Sequence, residues 1–150
     1  MPVKIVTDST ADIPPEVAAD LGIRMIRLYI HFGNDVYRDG IDLSPEDFYR
    51  KLVSNKSLPT TSTVAPIEFA QVCDELSEET DEILAIVLSS KPSATYDVAL
   101  QGRELMKDKK CRVEVLDSQL LCMALGLVVI GAARKAREGM NLTDLLQFAK

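Results

Sequence analysis

Residues 82–89, with the sequence EILAIVLS, form the most apolar strand-length segment of the chain. A short, continuous apolar run is typical of a β-strand that is buried on both faces in the middle of a parallel sheet. Residues 4–8 (KIVTD) are predicted to form a second buried strand, and residues 112–117 (RVEVLD) a further one. Residues 24–30 alternate between apolar and other side chains, which predicts a strand near an edge of the sheet.

Helices are predicted between these strands from capping residues and from the spacing of apolar side chains. Pro15 opens the first helix, which ends at Gly22. Ser44 caps the second helix, on which Phe48 and Leu52 are expected to face inward. The remaining helices are predicted to follow residue 66, to cover 94–107 and 120–138, and to follow residue 141. A three-residue spacing on the third helix marks the expected inner positions Ile67, Ala70, Cys73 and Leu76.

The alternation of strands and helices predicts an α/β fold with a doubly wound, mostly parallel sheet and helices on both faces. Asp39-Gly40 lies between short apolar positions and predicts the tight turn of a small β-hairpin. Residues 56–66 are rich in Ser, Thr and Pro and are predicted to form a loop. The length of 150 residues fits a single domain, 1–150, and neither a linker nor an internal repeat divides it.

The charge composition argues against two classes of partner. Lys and Arg number 17 against 23 Asp and Glu, which gives a net charge of -6. Such a chain is a poor match for nucleic-acid backbones and for anionic membrane surfaces. The start of the sequence has no signal-peptide pattern, and the longest apolar run, residues 120–133, is too short to span a bilayer. We therefore expect a cytoplasmic protein with no membrane span.

The three cysteines, Cys73, Cys111 and Cys122, are odd in number and widely spaced. They fit neither a disulfide framework nor a zinc site, and buried free thiols in a reducing cytosol are the simplest interpretation. The sequence also lacks the glycine-rich loops G-x-G-x-x-G and G-x-x-x-x-G-K-[ST] that bind nucleotide phosphates. We therefore expect no metal and no cofactor.

Hydroxyl-bearing residues follow several predicted strands, at the edge where parallel α/β sheets bind ligands. These residues are Ser9 and Thr10, then Ser89, Ser90, Ser93 and Thr95, then Ser118, and in the loop 56–66 Thr60, Thr61, Ser62 and Thr63. Any one of them is more typical of a helix cap than of a ligand contact. Four separate segments that bring hydroxyls to one edge nevertheless favour an anion site, to which helix N-terminal amides also contribute.

Three other residues are weaker candidates for chemistry. His31, the only histidine, follows a strand and has no Ser or Cys partner in a recognisable motif, so a structural role fits it better. Asp8 and Asp117 end two predicted strands, and hydrogen bonds to nearby backbone amides fit them better than proton transfer. A hydrolase or phosphotransferase that uses Asp8 or Asp117 with the Ser/Thr cluster is the weaker alternative to a binding protein, because no activating base accompanies a nucleophile.

Five blocks of sequence together resemble the DegV family of bacterial proteins. They are, in chain order, residues 6–14 (VTDSTADIP), 37–40 (YRDG) with 44–49 (SPEDFY), 59–66 (PTTSTVAP), 89–96 (SSKPSATY), and Asp117-Ser118 with Gly126. The third and fourth blocks are similar to the Thr-Ser-x-Pro-Ser-Pro loop and the Ser-Ser-x-x-Ser-Gly-Thr-Tyr motif of that family. The blocks cover essentially the whole chain in the family's order.

The resemblance implies a fold like the DegV N-terminal domain and a binding protein without catalysis of its own. Family members hold one long-chain fatty acid and present its carboxylate to a separate fatty acid kinase. By position in the motifs, Thr61 and Ser93 are expected to hydrogen-bond the carboxylate, with Ser62 and the backbone amide of Ala94 beside them. The residues expected to support these contacts from behind are Asp8, Ser9 and Ser118.

Two departures from the family pattern carry expectations of their own. Ala94 replaces the usual glycine and would be strained if the backbone there needs a positive φ. Family members carry a second domain that supplies part of the pocket, whereas this sequence stops at Lys150; an isolated domain, a truncated form and a naturally short variant all fit. We expect the chain alone to bind fatty acid weakly, unless a homodimer covers the exposed groove. A truncated domain without tight ligand binding is a further alternative.

Overall fold

Seven β-strands and six α-helices follow one another along residues 2–150, the part of the chain that the computed structural model describes. The strands are β1 (Lys4–Asp8), β2 (Arg24–Ile26), β3 (Tyr29–Phe32), β4 (Asp35–Arg38), β5 (Thr60–Ser62), β6 (Glu82–Val87) and β7 (Arg112–Asp117). The α-helices are α1 (Pro15–Leu21), α2 (Pro45–Ser54), α3 (Pro66–Ser77), α4 (Thr95–Leu105), α5 (Cys122–Arg137) and α6 (Leu142–Phe148). A short 3-10 helix, Ser9–Ala11, follows β1 directly.

Four strands form a parallel sheet in the order β2-β1-β6-β7. This order places β6 between two neighbours, and its residues 83–87 are completely buried. The prediction that the apolar segment 82–89 forms a central strand is therefore confirmed. Parallel neighbours require crossover connections, which the helices between the strands provide. The predicted doubly wound α/β architecture is confirmed as well.

Helices cover both faces of the parallel sheet. On one face, Ile5 and Leu84 pack in a cluster with side chains of α1, α5 and α6, among them Leu125. On the other face, Val6 and Ile83 pack against α3 and α4. Neighbouring residues of one strand enter opposite clusters because side chains alternate across a strand. This arrangement confirms the prediction of helices on both faces.

The segment 24–30 is two strands in two sheets, so its prediction as a single strand is wrong. β2 pairs with β1 in the parallel sheet, whereas β3 pairs with β4 and β5 in an antiparallel sheet of order β4-β3-β5. Leu28 lies at the break, and its backbone bonds elsewhere: its N–H donates to Ser9 Oγ at 3.2 Å and its carbonyl accepts from Asp39 N at 2.9 Å. These two bonds take the chain out of the parallel sheet.

The small hairpin turns at a different place from the one predicted. Phe32 pairs with Asp35, so the turn between β3 and β4 consists of Gly33 and Asn34. Gly33 has a φ of 61°, a left-handed conformation that glycine adopts without a steric penalty. Asp39-Gly40 instead follows β4, and Gly40 N donates to the carbonyl of Leu43 at 3.2 Å. Asp39-Gly40 does form a tight turn, in which Ile41 N donates to the carbonyl of Arg38 at 3.1 Å, but its prediction as the turn of the hairpin is wrong.

The predicted loop 56–66 contains a strand. Thr60, Thr61 and Ser62 form β5, which pairs with Tyr29, Ile30 and His31 of β3. The three residues of β5 are polar and exposed, so they show no alternation of apolar and polar side chains. The strand is therefore recognised only from its pairing with β3. The helix α2 packs near the same sheet, where the ring of Phe48 lies 5.8 Å from that of Phe32.

The predicted inner face of α3 needs one correction. Ala70, Cys73 and Leu76 are buried as predicted, but Ile67 is 50% exposed and Phe69 takes its place in the core. The first turn of α3 rotates Ile67 outward, because a helical repeat of 3.6 residues drifts away from a strict three-residue spacing. The predicted caps Ser44 and Asn141 are confirmed, since each accepts a backbone N–H of its own helix.

Two of the three cysteines are buried, as predicted. Burial raises the pKa of Cys73 to about 12 and that of Cys111 to about 11. Cys122 is exposed, which corrects the prediction for that residue. It opens α5 at the polar edge of the sheet, outside the two core clusters. Among the helices of residues 2–150, none is both long and apolar enough to cross a membrane.

Gly126 marks the closest approach of α5 to the loop that follows β1. A Cβ atom at this position would overlap the carbonyl oxygen of Ala11 and would lie 3.0 Å from Sδ of Met123. Gly102 has a similar role on α4, where a Cβ would lie 2.6 Å from the carbonyl oxygen of Pro66. Both glycines lie in helices and permit close packing against a neighbouring segment.

We expect Gly126→Ala to lower the free energy of unfolding by about 1–3 kcal/mol, because the added methyl group must displace backbone. Gly131→Ala is the matched control on the same helix, since its methyl group would meet only the ring edge of Phe148 at 3.2 Å. The control gains helix propensity and should lose no stability. Urea unfolding followed by circular dichroism measures both variants, and wild-type stability in Gly126→Ala would contradict this account of the packing.

Candidate functional site

The carboxylate of Asp8 organises the edge at which the parallel strands end. The side chain is completely buried. One oxygen, Oδ2, accepts from the backbone N–H of Leu88 at 2.8 Å, and Oδ1 accepts from Thr10 N at 3.0 Å and from Thr10 Oγ1 at 2.5 Å. Asp8 therefore ties the end of β1 to the residue that follows β6. Burial raises the pKa of Asp8, although these hydrogen bonds act in the opposite direction.

A second carboxylate braces the loops at the far side of this edge. Asp117, the last residue of β7, accepts from Ser90 N at 3.1 Å and from Ser90 Oγ at 2.5 Å. Burial acts to raise the pKa of Asp117, but the hydrogen bonds from Ser90 and from the backbone of Gln119 outweigh it, and the pKa falls below its usual value. Asp117 therefore fixes the loop after β6 against the loop after β7.

The two serines expected behind the site accept hydrogen bonds from backbone amides. Ser9 Oγ accepts from Leu28 N at 3.2 Å and is buried. Ser118 Oγ accepts from Leu120 N at 3.1 Å. Together with Asp8, these residues hold the loops in place, which leaves the contact with any ligand to other side chains.

Three hydroxyls form a continuous row at the start of α4. Ser93 Oγ lies 2.9 Å from Thr95 Oγ1, and Thr95 Oγ1 lies 3.0 Å from Thr63 Oγ1. Ser93 Oγ also accepts from Thr95 N at 3.2 Å. We call Ser93, Thr95 and Thr63 the hydroxyl chain. It joins the loop before α4 to the segment just after β5, two parts of the sequence about thirty residues apart.

Ala94 is exposed and lies between two members of the hydroxyl chain. Its φ is -81° and its ψ is 3°. The positive φ that would strain an alanine is not adopted, so the replacement of the family's glycine by Ala94 causes no backbone strain here. Ala94 is the N-cap of α4, and the first backbone amides of a helix have no hydrogen-bond partner within the helix.

Thr61 and Ser62 lie on opposite faces of β5. Thr61 is paired with Ile30 and Ser62 with Tyr29, and consecutive side chains alternate across a strand. Both residues are exposed. Thr63 follows one position after β5 and is half-buried. The hydroxyl chain therefore leads from Ser93 to Thr63, two positions after Thr61 in the sequence.

His31 has a partner that its sequence neighbourhood does not reveal. Its Nε2 atom lies 2.8 Å from Ser62 Oγ, across β3 and β5. This contact depends on the register of a strand that was not predicted. For Thr63 and Thr95 likewise, the sequence indicates only that they belong to hydroxyl-rich segments. Their hydroxyl groups mark both residues as candidates for a polar site, but only the fold brings the two side chains into contact.

Two clefts lie away from these hydroxyls. One, of about 550 Å³, is lined by polar residues of α3 and by residues beyond α4, among them Gln71, Asp74, Glu78 and Lys107. The other, of about 120 Å³, lies at the amino end of the sheet beside Val3, Leu21 and Ala133. Neither is lined by Thr61 or Ser93. Among residues 2–150, no group of three or more His, Cys, Asp or Glu side chains could hold a metal ion.

The strand edge thus combines two buried or braced carboxylates with a row of uncharged hydroxyls. In open α/β sheets, ligands bind beyond the carboxyl ends of the strands, which is where these side chains lie. The family model described as "Uncharacterised protein, DegV family" matches residues 2–150. The chain belongs to the DegV family.

Relatives and solved structures agree with this assignment. A DegV domain-containing protein of Caldanaerobacter subterraneus is 38% identical over 144 residues, which cover 96% of this chain and 50% of the relative. A fatty acid binding DegV family protein from Thermus thermophilus superposes with a TM-score of 0.89 at 32% identity, over 99% of this chain and 52% of that one. DegV of Bacillus subtilis, described as a fatty acid binding protein, superposes with a TM-score of 0.91 at 31% identity, over 99% of this chain and 52% of that one. The chain spans about half the length of the relatives that it matches.

We expect Asp8→Asn to lower the free energy of unfolding by about 1–3 kcal/mol, because one amide oxygen cannot replace two carboxylate oxygens toward Leu88 N and Thr10 N. The amide NH₂ would face one of these donors. Asp12→Asn is the matched control, since Asp12 is exposed and Asn tolerates its φ of 53°. Thermal unfolding of both variants measures the difference. Equal stability of Asp8→Asn and wild type would show that Asp8 is not the brace described.

Proposed function

We propose that this chain is a lipid-binding protein that holds the carboxylate of a long-chain fatty acid with Thr61 and Ser93. The observation that carries the proposal is the hydroxyl chain, which links Ser93 to the segment of Thr61 at the edge where parallel sheets bind ligands. The fatty acid binding described for the proteins of Thermus thermophilus and Bacillus subtilis supports the class of ligand.

Neutral hydroxyls and helix amides are suitable partners for a carboxylate. Hydrogen bonds to a charged acceptor contribute about 1.5–3 kcal/mol each, so two or three of them orient the headgroup without an Arg or Lys. The backbone amide of Ala94 lies at the N-terminus of α4, and helix N-termini attract anions. Ser62 lies on the face of β5 opposite Thr61 and bonds His31, so we propose for it a supporting role rather than a direct contact.

The acyl tail supplies most of the binding free energy in this proposal. Each buried methylene contributes roughly 0.8 kcal/mol, so the contribution of a long tail exceeds that of the headgroup. Three apolar residues are exposed at the start of α5: Leu121, which precedes the helix, and Met123 and Leu127 within it. We propose that the tail lies along this surface. A second covering layer would then be needed for tight binding.

The covering layer and the downstream partner belong to the same proposal. A homodimer over the exposed apolar residues would bury the tail, and sedimentation velocity at increasing concentration would detect it. We also propose that a fatty acid kinase receives the carboxylate from this protein in the cytoplasm, with no turnover by the chain itself. The carboxylate oxygens of Asp8 and Asp117 accept hydrogen bonds from backbone N–H groups. This structural role favours a binding protein over a hydrolase or phosphotransferase.

We expect Ser93→Ala and Thr61→Val each to weaken oleate binding by roughly tenfold or more, because each removes one charge-assisted hydrogen bond. Thr143→Ala is the control, since Thr143 is exposed on α6, outside the proposed site. Displacement of a fluorescent fatty-acid analogue measures the affinities.

Unchanged oleate affinity in both site variants would refute the headgroup assignment. Loss of a catalytic turnover in these variants, with oleate binding intact, would support the enzyme alternative. Native mass spectrometry of the wild type is the companion measurement: we expect weak, substoichiometric retention of lipid by the chain alone, and stoichiometric lipid on a monomer would contradict that expectation.

A further inference from the structure

The hydroxyl chain runs in one direction, from Ser93 to Thr63. Thr95 Oγ1 donates to Thr63 Oγ1 at 3.0 Å, and this bond uses the single proton of the Thr95 hydroxyl. The oxygens of Ser93 and Thr95 lie 2.9 Å apart, so Ser93 is the donor in this second contact. Ser93 Oγ in turn accepts from the backbone N–H of Thr95 at 3.2 Å. The hydroxyl protons of Ser93 and Thr95 are therefore both used within the chain.

Thr63 ends this row with a hydroxyl proton that the protein leaves unused. Its oxygen accepts from Thr95, and within the described part of the chain Thr63 Oγ1 donates to no other residue. The side chain is half-buried rather than enclosed. Because a hydroxyl donor without an internal acceptor bonds to a group outside the protein, Thr63 is the member of the row that is ready to donate to a ligand.

The position of Thr63 in the row favours an anionic acceptor. Hydroxyls that donate to one another in sequence become polarised, so the last hydroxyl of the row is a stronger donor than an isolated threonine. Hydrogen bonds to an ionised acceptor are about twice as strong as those between neutral groups. A carboxylate also has two oxygens, and the two ends of the row lie within two hydrogen-bond lengths of each other.

We infer that Thr63 is a further ligand-binding residue, which donates to the carboxylate of the fatty acid. The inference rests on the proposed function and adds a donor to Thr61 and Ser93. Ser93 contacts the carboxylate at the cost of its bond to Thr95, a cost that the stronger charge-assisted bond offsets. Thr63, in contrast, keeps the bond that it accepts from Thr95 while it donates to the ligand.

The test compares two variants that remove the same internal hydrogen bond. Thr63→Val and Thr95→Val both abolish the bond between these residues, but only Thr63→Val removes the unused proton. We expect Thr63→Val to weaken oleate binding by roughly tenfold or more, the effect of about one charge-assisted hydrogen bond. Thr95→Val should weaken it by less than about twofold, because Thr63 keeps its proton and Ser93 no longer donates to Thr95.

Further variants control for stability and for the segment itself. Thr63→Ser keeps the hydroxyl and should bind oleate like the wild type. Thr60→Val removes an exposed hydroxyl from the same segment and should leave the affinity unchanged. Thr63→Ala removes the same proton with a smaller side chain and replaces Thr63→Val if that variant does not fold. Displacement of the fluorescent fatty-acid analogue measures the affinities, and urea unfolding confirms that each variant is folded.

The outcomes separate this inference from the proposed function. An equal loss of oleate affinity in Thr63→Val and Thr95→Val would overturn the inference, because Thr63 would then act only as an anchor for Thr95. Wild-type affinity in Thr63→Val would overturn it too, and losses in Ser93→Ala and Thr61→Val would at the same time uphold the proposed site. If the wild type shows no saturable oleate binding, the proposed function and the inference both fail.

Discussion

The buried carboxylate of Asp8 is the interaction on which the geometry of the strand edge depends. A charged group away from water is unfavourable unless its lone pairs are satisfied, and here three donors satisfy them. Two of the donors belong to Thr10 and the third is the amide of Leu88, eighty residues further along the chain. The end of β1, the 3-10 helix after it and the exit from β6 are thereby held as one unit. The loop that carries Ser93 starts from this fixed point.

A division of roles follows from this arrangement. The acidic side chains at the edge bind the protein's own backbone and loops, as Asp117 does with Ser90. The hydroxyl chain, in contrast, links two segments through hydrogen bonds between side chains. In the proposed function, these uncharged donors orient a carboxylate through the geometry of their hydrogen bonds rather than through opposite charge.

The parts of the fold that follow from local sequence were predictable, and those that depend on distant partners were not. The apolar run of β6 and the caps Ser44 and Asn141 act through neighbouring residues. The break after Ile26 depends on the hydroxyl of Ser9, which accepts from Leu28 N, nineteen residues later in the chain. The strand β5 forms by pairing with the free edge of β3, and Thr60–Ser62 has no alternating pattern from which the strand could be predicted.

The candidate site divides in the same way. The sequence predicts hydroxyls at the strand edge, and the brace formed by Asp8 agrees with the predicted role of binding backbone amides. The contact of Thr95 with Thr63 and that of His31 with Ser62 join residues about thirty positions apart, through a sheet register that the sequence pattern does not determine. Thr61 and Ser62 are adjacent in sequence, yet strand alternation sends them to opposite faces.

A crystal structure of this chain with oleate bound tests the central claim most directly. The account predicts that the oleate carboxylate lies within hydrogen-bond distance of Thr61 Oγ1 and Ser93 Oγ, with the tail along the exposed apolar residues of α5. A carboxylate bound at another surface, or a tail that leads away from α5 while Thr61 and Ser93 contact only water, would contradict it.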